Sequence, residues 1–200
     1  MPRIDKARGL REEERRTAER AVSVLINAGI AQSDRDALCR IRNLSESGIM
    51  VETRLPLTPD TDVSIQLRSG RLLDGTVRWR KDMRAGISFA DVSADAILSD
   101  RPSVDGTDFI FPRFERRAGA TVTVRHRRHR CTLSSLSLGD AVLFGLDGVA
   151  IGNVVTVAVE GLDDRLARIV RIEGDRAVVS FTEPLHFRSL ERWLETVPVH

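Results

Sequence analysis

Two halves of this sequence follow one pattern at a single spacing, and a chain built that way folds as two copies of one unit. Asn43 and Ser135 lie 92 positions apart. At that offset "NLS" meets "SLS" and Cys39 meets Cys131. "DVSIQL" (62–67) meets "VVTVAV" (154–159), and "RAGISF" (84–89) meets "RAVVSF" (176–181). Identities are sparse, but the apolar alternation mostly stays in step without a gap, as expected of an internal duplication. Each half is a series of short β-type runs. In the first, "AVSVLI", "CRIRNLSESGIMVE", "DVSIQLRSG", "GTVRWR" and "AGISFA" follow one another with Gly or Asp turns between them. Strands this short and this closely spaced predict a small antiparallel barrel or sandwich.

The segment "SDRPSVDGTD" (99–108) is rich in Ser, Asp, Pro and Gly and reads as a linker. The domain boundaries expected are a first unit over 12–97, a linker over 98–111 and a second unit over 112–196. Near the end, Leu185, Phe187, Leu190, Trp193 and Leu194 recur at helical spacing on one side. They predict a short C-terminal helix that covers an open end of the second unit. The first 14 residues are charged and await something to order them.

A net charge of +2 is too small for a protein that coats nucleic acid through bulk electrostatics. Lysine occurs only at Lys6 and Lys81, so the cationic side chains are nearly all arginine. GC-rich coding sequence accounts for much of such a bias. Arginine is also the residue of planar, two-pronged recognition of phosphates and guanine edges. No apolar run reaches the roughly 18 residues of a membrane-spanning helix, and the N-terminus has no signal-peptide centre. Cys39 and Cys131 are far apart and form no metal-type pair. The expectation is a cytoplasmic chain with reduced, core-type cysteines, without metal and without membrane insertion.

Two short motifs carry the chemistry. Arg16 and Arg20 are four apart just before the first strand, with Arg15 adjacent. On an arm they can close around an anionic ligand from one side. Asn43 and Ser45 are two apart, so on one strand they share a face while Leu44 points to the core. Gly48 follows where a bulge or a close backbone approach fits. In this order the motifs resemble those of the PilZ domain family: Arg-x-x-x-Arg, filled by Arg16 and Arg20, then Asp/Asn-x-Ser-x-x-Gly, filled by Asn43, Ser45 and Gly48. Trp79, Gly86 and Phe89 in "VRWRKDMRAGISF" match the family's later strands.

The resemblance covers roughly residues 12–97 and implies a six-stranded β-barrel that binds cyclic di-GMP. It implies that Arg16 and Arg20 hold guanine edges and phosphates, that Asn43 and Ser45 receive a guanine, and that Gly48 permits close approach. An extra arginine before the motif, here Arg15, is linked in such domains with binding a stacked pair of ligands. The fold expected is therefore mainly β: two tandem small antiparallel barrels with a short C-terminal helix. Family members act on flagellar motility, biofilm or exopolysaccharide output, and a downstream protein partner is expected. The competing reading is an adaptor that kept the fold and binds protein without nucleotide.

The second half looks like a degenerate copy. Arg113 and Arg117 keep the arginine spacing, but Ser135 replaces Asn43 and Asp140 replaces Gly48, with Gly139 one position early. Asp140 places a carboxylate where a phosphate ligand would approach. "RHRRHR" (125–130) falls between two strand-like runs and reads as a solvated hairpin tip, with an anion or nucleic-acid patch as its rival. Zinc binding through His126 and His129 lacks a third ligand nearby. No phosphate loop or nucleophile–base arrangement is present, and "SESG" matches a nucleophile elbow only loosely. A non-enzymatic receptor is expected.

Overall fold

The computed structural model describes residues 22–46, 48–90, 93–100 and 111–198. Twelve antiparallel strands among them close into two six-stranded barrels. The first barrel contains β1 (Val22–Gln32), β2 (Arg35–Ser45), β3 (Gly48–Thr53), β4 (Asp62–Gln66), β5 (Leu72–Lys81) and β6 (Arg84–Ser88). They close in the order β1-β2-β3-β6-β5-β4. The second contains β7 (Phe114–Val124), β8 (Arg127–Leu136), β9 (Asp140–Phe144), β10 (Val154–Val159), β11 (Arg165–Glu173) and β12 (Arg176–Phe181), in the equivalent order. The alternation that makes these strands is visible in β4, where Val63 and Ile65 are buried and Ser64 and Gln66 less so.

The duplication extends to irregularities no side-chain pattern reveals. Register shifts lie between Ser23 and Ile26, Ile41 and Asn43, and Val77 and Trp79. They recur 92 residues later, between Glu115 and Ala118, Leu133 and Ser135, and Ile169 and Arg171. Bulges sharpen strand curvature, and a small barrel needs such corners to close.

One sequence expectation needs correction. The run "CRIRNLSESGIMVE" is not one strand: it doubles back, and Ser45 pairs with Gly48 across a hairpin. A helix absent from the sequence reading, α1 (Ala94–Leu98), follows the first barrel. Ser93 caps it by accepting a hydrogen bond from the Ala96 amide, and Ile97 plugs the first core. The expected C-terminal helix is present as α2 (Phe187–Thr196). It buries Leu190, Trp193 and Leu194 in the second core, and Trp193 Nε1 donates to the Glu160 carbonyl at 2.8 Å. Leu185 lies before the helix. Burial of three such side chains contributes about 1.5–3 kcal/mol each.

α2 also meets the first barrel, along the outer face of β2. Leu38 points away from its own barrel and joins the second core. The Arg40 guanidinium lies 3.9 Å from the Phe187 ring centroid. Arg116 on β7, only 2% exposed, pairs with Asp36 and donates Nε to the Val197 carbonyl at 2.9 Å. Arg54 adds ion pairs to Glu191 at 3.4 Å and Glu195 at 3.5 Å. Burial pushes the Glu191 carboxyl up, with Arg54 opposing. Cys39 is fully buried in the first core, and Cys131 is half-buried with its thiol raised by burial to about 11.

"RHRRHR" does form a hairpin tip. Arg125 and His126 are the two turn residues between β7 and β8, with φ of 45° and 68°. Positive φ at both central positions is the geometry of a type I′ turn, which Asn-Gly fills with less strain.

Candidate functional site

The β2–β3 hairpin gathers Asn43, Ser45 and Gly48 at one pocket of about 320 Å³. Its other walls come from β5 and β6 and include Arg78, Trp79 and Ser88. Leu44, between the two polar residues, is buried in the core as the alternation requires. The register shift after Ile41 sets Asn43 opposite Met50 and Ser23. Ser23 Oγ donates to Asn43 Oδ1 at 3.4 Å, and Ser45 Oγ donates to the Gly48 carbonyl at 3.1 Å. Asn43 Nδ2 makes no hydrogen bond within the described residues and is available to an acceptor.

Gly48 makes the close backbone approach that was one of the two readings of its place in the sequence. A Cβ there would lie 2.1 Å from the Ile87 carbonyl oxygen, so glycine is demanded by the β3–β6 contact inside the barrel. The expected bulge at Gly48 lies earlier, at Ile41–Asn43.

Arg78 and Trp79 were not among the site residues expected from sequence. A bulge separates Val77 from Trp79, and both Arg78 and Trp79 stand exposed at the pocket. Arg78 Nε donates to Ser88 Oγ at 2.6 Å, which leaves its two Nη groups to face solvent or ligand. Trp79 is 44% exposed. Its ring lies across Gly86, where a Cβ would sit 2.1 Å from Trp79 Nε1. The signal was "VRWR" followed by a glycine, but alternation alone does not place both residues at one pocket. Arg15, Arg16 and Arg20 lie outside the described residues.

In the second barrel the corresponding position is closed. Arg113 Nη1 donates to Ser135 Oγ at 2.7 Å, and its Nη2 forms an ion pair with Asp140. Ser135, Ser137 and Asp140 are buried, and Ser137 Oγ accepts from the Gly139 and Asp140 amides. Phe111 packs against Gly139. Asp140 thus faces an arginine of its own barrel, not an open ligand position. Burial lowers Arg113 to about 10, with Glu115 opposing and Arg176 and Arg171 adding to the shift. Arg117 sits on β7, and Arg113 and Arg117 follow Arg16 and Arg20 by 97 positions, not by the 92 of the repeat. Among the described residues, no group of three or more His, Cys, Asp or Glu could hold a metal. No described helix is long and apolar enough to cross a membrane.

The fold and pocket define a tandem β-barrel protein with a tryptophan-flanked recess on its first barrel that presents Asn43, Ser45 and Arg78. Residues 13–100 match the PilZ domain model, and the first barrel belongs to that family. Comparison with curated proteins finds no match. Solved structures to which the chain is similar include the Bacillus subtilis inhibitor of motility MotI/DgrA, at 9% identity and a TM-score of 0.37 over 88% of this chain and 97% of that one. Borreliella burgdorferi PlzA in complex with c-di-GMP is similar at 10% identity and 0.36, covering 94% and 98%. Escherichia coli YcgR in complex with c-di-GMP is similar at 12% identity and 0.33, covering 86% and 83%.

Proposed function

We propose that this protein is a cyclic di-GMP receptor whose first barrel binds the ligand and whose second barrel relays the event to a protein partner. The observation that carries the reading is the pocket formed by Asn43, Ser45, Gly48, Arg78 and Trp79 within the PilZ domain. Asn43 and Ser45 hydrogen-bond a guanine edge, and Trp79 offers a stacking face, a contact worth about 1–3 kcal/mol per base. Arg78 pairs with a phosphate. Arg15, Arg16 and Arg20 enter from the chain just ahead of β1 and close over the ligand from the other side. The ordering of that arm changes the surface a partner meets, and no covalent step is involved. Motility, biofilm or exopolysaccharide control is the output class.

The relay has a physical route. β2 carries Asn43 and Ser45 near one end and the joint residues Asp36, Leu38 and Arg40 along its outer face. A nucleotide-independent adaptor is the second reading. The exposed apolar side chains Ile151, Val154, Leu166 and Val170 around β10 and β11 favour it, since they suit a protein contact. Titration of cyclic di-GMP separates the two: saturable binding lost in Ser45→Ala and Trp79→Ala supports the receptor, and no binding supports the adaptor.

A further inference from the structure

We propose that the second barrel carries its own small-molecule site, a nucleotide-binding pocket on the outer face of β7, β8, β9 and β12, beside the closed Asp140 position and sharing Ser135 with it. The pocket has a volume of about 450 Å³, and its walls include Glu115, Arg117, Ser134, Ser135, Phe144 and Arg176. That size suits a mononucleotide.

The duplication shows what changed there. In the first barrel, Glu52 pairs across the sheet with Arg84 and forms an ion pair with Arg42 at 3.6 Å. Ninety-two residues on, Glu52 becomes Phe144, Arg42 becomes Ser134, and Arg84 remains an arginine as Arg176. Arg176 therefore keeps its place opposite Phe144 but has lost its carboxylate. Its Nε is buried and without a hydrogen-bond partner. Arg117 stands where the first barrel has Leu25, and it too makes no ion pair within the described residues.

Surrounding charge does not cancel these two. Arg113 is matched by Asp140, the lining Arg116 by Asp36 and Arg171 by Glu173, which leaves Glu115 as the one carboxylate lining the pocket. Two guanidinium groups and the Ser134 hydroxyl suit a phosphate. Phe144 offers a ring face to a base, and exposed Glu115 offers an acceptor for ring N–H groups. This site goes beyond the receptor reading and does not depend on it.

The test is calorimetric titration of GMP, AMP and inorganic phosphate into the full chain carrying Arg16→Ala and Arg20→Ala, which removes the first barrel's proposed clamp. Saturable binding of a mononucleotide is expected, at least about tenfold tighter than phosphate. Arg176→Gln and the exposed variant Arg117→Gln should each weaken it about tenfold, the loss of one charge-assisted contact. Circular dichroism and melting temperature confirm that each variant is folded. The proposal is overturned by no heat with either nucleotide at millimolar concentration. It is equally overturned by unchanged affinity in the folded variants, or by phosphate binding as tightly as the nucleotides.

Discussion

Gly48→Ala adds one methyl group to the hairpin that frames the first barrel's pocket. The new Cβ would lie 2.1 Å from the Ile87 carbonyl oxygen and 3.0 Å from its carbon, where ordinary contacts begin near 3.4 Å. Ile87 is a central residue of β6, paired with Ile49 on one side and Val77 on the other, so its carbonyl cannot swing aside. β3 must open from β6 by about 1 Å, which weakens the ladder where Gly48 meets Ser88 and Ile49 meets Ile87. Two weakened hydrogen bonds cost about 1–3 kcal/mol, and overpacking of a tight contact adds about 1–3 kcal/mol. The lower backbone entropy of alanine returns about 0.5–1 kcal/mol. The net expectation is a loss of ~2–4 kcal/mol confined to the first barrel, or ~10–25 °C in its melting temperature. Urea denaturation followed by Trp79 and Trp193 emission reads the two barrels separately. A Gly48→Ala protein that melts like the wild type yet fails to bind ligand would refute the reasoning, because the glycine would then serve the ligand alone.

Other outcomes follow from the same geometry. Trp79 is 44% exposed at the pocket and Trp193 is 3% exposed in the second core, so ligand binding should change the emission of Trp79. Trp79→Phe should abolish that signal, and a signal that persists in it contradicts the placement. Asp36→Asn leaves the buried Arg116 without its counter-charge and should cost ~3–5 kcal/mol in urea denaturation. Asp36→Asn combined with Arg116→Met should cost less, and a loss under about 1 kcal/mol in the single variant would mean the pair does not hold the barrels together. Arg125→Asn with His126→Gly replaces two residues at positive φ with the residues that turn prefers. It should stabilise the second barrel by ~1–2 kcal/mol, and an unchanged melting temperature counts against strain at the tip.

The fold was legible because duplication and alternation reinforce each other. The offset of 92 in the sequence is the offset of all three register shifts in the structure. Leu44, Val63 and Ile65 face the core as period-two alternation requires. The hairpin inside "NLSESG" was hidden because Ile49 and Val51 continue the apolar alternation after the turn. Helix α1 was hidden because five residues hold too little periodicity, and one buried side chain, Ile97, fixes it. The candidate site was half legible. Asn43 and Ser45 meet as their spacing predicts, but Arg78 and Trp79 reach the pocket through a bulge, and bulges have no composition signature. The closure of the second barrel by Arg113 was also invisible, since it joins a residue ahead of β7 to Ser135 on β8 and Asp140 on β9, far apart in the sequence.

The most direct test of the receptor reading is calorimetric titration of cyclic di-GMP into the full chain and into its Arg16→Ala and Arg20→Ala variants. Micromolar or tighter binding that disappears in either variant is the predicted result, with the stoichiometry reporting whether Arg15 recruits a second ligand. Absence of heat, together with an unshifted melting temperature at saturating ligand, would contradict it.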